Sequence, residues 1–375
     1  MLDEVAAAFD RQDYPTASRL LKELLKQSPE NPWVQLYAAR LQEVSGKLDP
    51  AEEIYRQLLR NATNPKLAAQ ARQGIQRVES SQRELRRQAI EQATADPGNS
   101  EPGFLVLESV TGENRAIAIQ NFSRIMKLDA YTGRLLLPNR GWRLYRTGTL
   151  GELQVYGQML CDAGVPAFWA SLAQLQKLQV FRVSHLKSLV PKATVVCRNE
   201  RDQLGSLTFD WSEVSHWVEG MVPVFERVVT LGYRDRLERR EETQDYDHLC
   251  DLHLPGRQCI LRLHDSHYAF HSGVPVVPPP ATPGKVERST NRTNWNHLME
   301  LLQRQLSHAA HWSDFTPFAE TAADFAIPLR QITHHIHVFR QSDSYWDAAF
   351  QLYSGLIFLR GSRADDRSPV IGDRG

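Results

Sequence analysis

Apolar residues recur at helical spacing through the first hundred positions and then give way to short extended runs. Leu20, Leu21, Leu24 and Leu25 fall on one helical face, as do Ile54, Tyr55, Leu58 and Leu59. Asn31-Pro32, Asp49-Pro50 and Asn64-Pro65 mark helix starts. In each, a side-chain oxygen caps an unpaired N–H, and proline follows where its missing donor costs nothing. Residues 65–94 read as a third unit or as one long helix broken at Ser80-Ser81. Its second half, Gln82 to Gln92, sets charges around Leu85, Ala89 and Ile90, which makes a solvated face or a contact for an acidic partner.

Beyond Asp96-Pro97-Gly98-Asn99, Phe104–Leu107 and Ala116–Ile119 read as strands joined by a hairpin turn at Thr111–Asn114. Leu135–Leu137 and Trp142–Arg146 read as further strands around a turn at Pro138–Gly141. Thr149 caps a helix whose face is Leu150, Leu153, Tyr156, Gly157 and Leu160, closed by Gly164, and Pro166–Trp169 follows as a strand. Strand, helix and strand in that order predict a right-handed crossover with parallel pairing. A short helix over Ser171–Leu178 precedes extended runs at Val180–Val183, Ala193–Cys197 and Leu207–Phe209, while Trp211–Val218 fits helix or strand. Arg234–Asp247 reads as a charged loop or exposed helix, and Leu249–Leu254 and Cys259–Leu263 as a hairpin around Pro255-Gly256. Three helices close the chain: one capped by Thr293, one over Pro317–Phe325, and one over Tyr345–Leu359.

Ala17, Leu21, Leu24, Leu25 and Pro29 return 34 residues later as Ala51, Tyr55, Leu58, Leu59 and Thr63, and Gly46 stands in the turn before Ala51. This pattern resembles the tetratricopeptide repeat. It covers residues 1–64 and extends weakly to 99, with Gln12 where the turn glycine is usual and Leu85 where a third small alanine would stand. The resemblance implies a concave groove for a protein or peptide, with Tyr14, Trp33, Tyr37, Arg40 and Arg56 as partner-binding candidates.

The fold class expected is α+β: N-terminal helical hairpins, an α/β sheet domain, and C-terminal helices packed on it. The segments are 1–99 (repeats), 100–275 (sheet domain), 276–292 (a proline-rich spacer around Pro278-Pro279-Pro280), 293–360 (helical) and 361–375 (a disordered tail). At 375 residues with 42% apolar and 23% charged positions, the chain is long enough for two or three cores. A formal net charge of zero removes the electrostatic footprint of a dedicated nucleic-acid binder. Met1–Glu4 has no leader character and no run reaches the ~18 apolar residues of a membrane span. Four cysteines suit a reducing cytosol and buried free thiols, so a cytoplasmic protein is expected.

Candidate chemistry is sparse. The turn at Arg146–Thr149 offers a helix N-terminus but lacks the glycines and lysine of a nucleotide loop. His248, Cys250, His253, Cys259, His264, His267 and His271 include zinc-ligand residue types, and Cys250, His264 and His267 are the metal candidates. Strand alternation would put His248 and Cys250 on one face and Asp251 and His253 on the other. His334-His335-Ile336-His337 adds imidazoles one residue apart, as on a strand. The leading expectation is a non-catalytic adaptor that binds a protein or peptide through residues 1–99, with no cofactor and no catalytic residue assigned. The alternatives are an enzyme using His264, Asp265 and His267, or a structural zinc near residues 248–271.

Overall fold

The computed structural model describes residues 1–61, 63–231, 237–276, 290–338 and 344–366, and the chain divides into two compact bodies, Met1–Ala93 and Thr94–Gly375. The first body is helical: α1 (Leu2–Asp10), α2 (Tyr14–Gln27), α3 (Pro32–Val44), α4 (Leu48–Asn61) and α5 (Pro65–Thr94). Asn31 caps α3 by accepting from the Trp33 N–H at 3.0 Å, and Asn64 accepts from Lys66 N–H at 2.9 Å. The Asp49-Pro50 start differs, because α4 begins at Leu48, two residues before the proline, and Asp49 lies inside its first turn. Helix α5 runs through Ser80-Ser81 without a break. Val5, Ala8, Phe9, Ala17, Leu21, Leu24 and Val34 form one apolar cluster. Leu36, Ala39, Ala51, Tyr55, Leu58, Leu67, Ala71 and Val78 form the next.

The second body contains two sheets. β1 (Pro102–Glu108), α6 (Arg115–Met126), α7 (Ala130–Leu136), β2 (Trp142–Thr149), α8 (Leu150–Asp162) and β3 (Ala167–Ser171) build a three-stranded sheet of order β2-β1-β3. β1 is antiparallel to both neighbours, so β2 and β3 run the same way but are separated by it. The expected direct parallel pair is therefore split by a central strand. The predicted hairpin is also absent, since Ala116–Ile119 lies in α6 and Leu135 and Leu136 end α7. Burial gives the reason: Ala118, Phe122 and Ile125 pack on Leu105 and Leu107 of β1 while Ile117 is exposed, a helical rather than alternating pattern.

α9 (Leu172–Gln176), β4 (Gln179–Ser188), β5 (Ala193–Arg198), β6 (Leu204–Phe209), β7 (His216–Leu231), β8 (Leu237–Leu254), β9 (Cys259–His264), α10 (Asn291–Gln305), β10 (Ala310–Trp312), α11 (Phe315–Ala322), α12 (Ala326–Leu329) and α13 (Tyr345–Asp366) complete it. The second sheet has the order β10-β7-β8-β9-β4-β5-β6, with β4 and β9 parallel, as are β10 and β7. One face packs Val180, Val218, Leu249 and Ile260 on α11 and α13, and the other packs Leu252, Leu261 and Leu263 on Trp295, Leu298 and Leu302 of α10. The charged stretch from Leu237 to Asp247 is strand rather than loop or helix, paired with β7 across one register shift between Thr243 and Asp245; residues 234–236 lie outside the described residues. Trp211–Glu213 is one tight helical turn before β7.

The cap of α10 is Thr290 rather than Thr293, whose N–H it accepts at 3.2 Å. Helix α13 continues through Asp366, so the expected tail is helical at its start; residues 367–375 and most of the proline-rich spacer, 277–289, lie outside the described residues. Cys197, Cys250 and Cys259 are buried free thiols, whereas Cys161 is exposed. Among the described residues no helix is long and apolar enough to cross a membrane.

Candidate functional site

The hairpin alternation expected for β8 and β9 holds, and it sorts their polar residues. Register pairs Asp251 with Arg262 and Leu249 with His264 on one face, and Cys250 with Leu263 on the other. The thiol of Cys250 thus lies in the apolar layer under α10, where burial raises its pKa well above the ordinary value. Cys250 is separated from His264 by the sheet itself, so the candidate set of Cys250, His264 and His267 does not assemble, as the alternation predicts.

The opposite face carries charge in a row. Arg262 of β9 pairs with Arg182 of β4, and Arg182 with Arg198 of β5, so three arginines stand side by side on consecutive strands. Arg262 is buried and donates from Nε and Nη2 to the two oxygens of Asp251 at 2.8 and 2.6 Å. Its Nη1 donates to the His334 carbonyl, which ties the sheet to the irregular segment 333–338. Asp251 also accepts from Ser354 Oγ of α13 at 2.6 Å, and Ser354 in turn lies 2.9 Å from His253 Nε2. Because the serine proton goes to Asp251, Nε2 carries the His253 proton. Serine, histidine and aspartate meet here, but all three are fully buried and the serine bridges the other two, a structural arrangement rather than an exposed nucleophile.

Arg182, Arg198 and Arg262 line a cavity of about 190 Å³ together with His264, His267, His335 and His337. It adjoins a wider cleft, through Arg182, His335 and His337, whose carboxylates are Glu200 and Asp347. The His334–His337 segment is not a strand: His335 has φ of 52°, a left-handed conformation uncommon among residues other than glycine. Burial, then the charges of Arg262 and Arg182, lowers the His335 pKa to about 4. Burial and Arg182 also lower His337. Both rings are therefore neutral near pH 7, each with one N–H donor.

At one side of the cavity His264 Nε2 lies 3.1 Å from Asp247 Oδ2, and its Nδ1 lies 2.7 Å from His267 Nδ1. Ser266 Oγ donates to Asp247 at 2.6 Å. Burial works against the Asp247 carboxylate, but hydrogen bonds from His264 and Ser266 outweigh it and its pKa lies below the ordinary value. Burial raises Asp265 and lowers His267. Asp247, His264 and Asp265 place ligand-capable atoms within 4.8 Å of one another. That set is rich in oxygen and suits a harder cation than the candidate set of Cys250, His264 and His267. Of the three residues considered for acid–base work, His264 and His267 reach the cavity and Asp265 does not line it. The phosphate cradle considered at α8 holds its own carboxylate, since Glu152 in the first turn pairs with Arg146 at 2.5 Å.

The helical body builds a different kind of surface. Ala17 and Ala51, 34 residues apart, are both fully buried where neighbouring helices touch. Gln12 and Gly46, also 34 apart, both turn the chain with left-handed φ, 59° and 75°. Residues 8–74 match the family model of the tetratricopeptide repeat. No curated protein and no solved structure matches the chain.

Within the tetratricopeptide repeats, most partner-binding candidates are engaged in the fold. Phe9 stacks on Tyr37 with ring centroids 5.5 Å apart and meets Tyr14 edge-on at 6.2 Å. Arg40 sits over the Phe9 ring at 5.0 Å, and Trp33 packs on the second apolar cluster. Arg56 is exposed and pairs with Glu52 at 2.6 Å. The open depression of these repeats is lined by residues that sequence reading passed over: Glu43 of α3 and Gln73, Gln76, Arg77, Ser80 and Ser81 of α5. Arg77 grips Glu43 with two bonds, 2.7 and 3.0 Å, and Tyr55 Oη donates to the same carboxylate at 2.7 Å.

The arginine row was equally unforeseen. Its only local signal is a charged residue inside an otherwise apolar run, as Arg262 is in Cys259–Leu263 and Arg182 in Val180–Val183.

Proposed function

We propose that the chain is a non-catalytic cytoplasmic adaptor: the tetratricopeptide repeats hold a protein or peptide partner, and the sheet body carries a separate ligand cavity. The repeat match over residues 8–74 carries this reading. Repeats of this kind stack helices into a surface rather than a reaction centre. The depression between α3 and α5 is the surface offered, and its lining of amides, hydroxyls and one paired charge suits the backbone and polar side chains of an extended segment. A partner made of protein rather than nucleic acid fits the zero net charge.

Site-specific photo-crosslinking in the full chain tests the reading. A crosslinker at Gln73 or Gln76 should trap a protein, and one at exposed Ile117 in the sheet body should not. Adducts formed only from the sheet body would remove the repeats from partner binding.

A further inference from the structure

The arginine row poses an electrostatic problem that the fold solves at only one end. Like charges directly opposite on neighbouring strands are destabilising, yet Arg262, Arg182 and Arg198 are consecutive partners across three strands. Asp251 neutralises Arg262 from within the core. Arg182 and Arg198 share one other carboxylate, Asp202, at 2.8 and 3.9 Å. That side chain is 69% exposed and its residue is held at φ of 62°. A solvent-facing carboxylate on a tight turn is a weak, displaceable counter-charge.

The cavity wall supplies donors and no acid. Arg182 makes its hydrogen bonds from Nη2 alone among the described residues, to Asn199 O and Asp202. His337 makes none among the described residues. His335 lines the same space from a left-handed backbone conformation, and such outliers concentrate at functional sites. Arg262 is committed to Asp251 and His334, so it fixes the floor.

We propose that this cavity binds the phosphoryl group of a small phosphate ester, held by Arg182 and Arg198 with His335 and His337 donating from the side. A carboxylate presents two oxygens in one plane and pairs with a single guanidinium fork, as Asp251 does with Arg262. Two guanidiniums on different strands with imidazoles on a third wall instead match an oxyanion with three outward oxygens. At about 190 Å³ the cavity is smaller than the ~300–1,000 Å³ of sites for drug-sized ligands, so it encloses the phosphoryl group while the substituent faces the adjoining cleft. Of the neighbouring Asp247, His264 and Asp265 cluster only His264 lines the cavity, and its ring is already bonded to Asp247 and His267.

Calorimetric titration of the full chain decides the matter, with inorganic phosphate, O-phosphoserine and citrate as probes. Saturable binding of either phosphate probe, weakened at least about tenfold in Arg182→Gln, is the expected result. O-Phosphoserine binding more tightly than inorganic phosphate identifies an ester, and the reverse order overturns the ester while leaving a free-phosphate site. Asp202→Asn removes the competing carboxylate and should tighten binding several-fold. Arg182 and Arg198 are partly exposed, so a thermal melt can verify that the variants fold. No saturable heat with either phosphate probe, an unchanged affinity in Arg182→Gln, or tighter binding of citrate than of both would overturn the proposal.

Discussion

Asp251 and Arg262 face each other across β8 and β9 with both guanidinium contacts under 3 Å, and neither side chain is more than 1% exposed. Removing one member of such a pair leaves an uncompensated buried charge, which costs about 3–5 kcal/mol. Asp251→Ala should therefore lower the denaturant midpoint severely. Replacing both residues by apolar ones of similar volume should return most of that loss. Chemical denaturation of the single and double variants checks this, and a single variant as stable as the parent would contradict it.

Gly74 sits inside α5, where alanine is ordinarily better by roughly 0.5–1 kcal/mol. Here the sign reverses, because a Cβ at Gly74 would lie 2.4 Å from Cζ of the Tyr55 ring. That ring is fully buried and its hydroxyl is bonded to Glu43, so it has no room to retreat. Gly74→Ala is expected to cost about 1–3 kcal/mol of repeat stability, read from thermal unfolding. In a Tyr55→Leu background the same change should cost much less.

Gln12 and Gly46 test the turn chemistry in opposite directions. Both hold left-handed φ, and a Cβ at Gly46 would meet nothing within 4 Å, so only the backbone conformation matters there. Gln12→Gly should stabilise the first repeat by up to about 1 kcal/mol, and Gly46→Ala should destabilise the second by about the same amount. Circular-dichroism melts that move both variants the same way would show that contacts, not φ, govern these turns.

Local periodicity made the repeats legible, because helical contacts between Ala17 and its neighbours recur through Ala51 at fixed spacing. The Leu249–Leu263 hairpin was legible for a similar reason, two alternating runs around Pro255-Gly256. Ala116–Ile119 was not, since four apolar letters in a row carry no period, and the decision for helix rests on packing against β1. The arginine row was least legible. Arg182 and Arg262 meet through a parallel pairing of β4 with β9, a contact between strands 80 residues apart that no local pattern specifies. His264 and His267 did show their three-residue spacing, but Asp247, which fixes the orientation of His264, comes from the preceding strand.

Acid should weaken the fold before its carboxylates titrate. His335 and His248 have pKa values lowered from 6.5 to about 4, in each case first by burial, and burial lowers His253 as well. The groups around His335 are Glu200 at 3.8 Å, Arg262, Arg182, His337 and Asp251. The folded chain keeps the ring neutral, whereas the unfolded chain takes up a proton below its ordinary value. The unfolded state therefore binds more protons between pH 6.5 and about 4, and stability falls as pH falls through that window and levels below it. His335→Asn removes one of these groups, and asparagine tolerates the left-handed backbone better than most residues. Denaturant midpoints measured from pH 7 to pH 4 should decline less steeply in that variant. Parallel curves for the variant and the parent would exclude His335 as a source of the acid sensitivity.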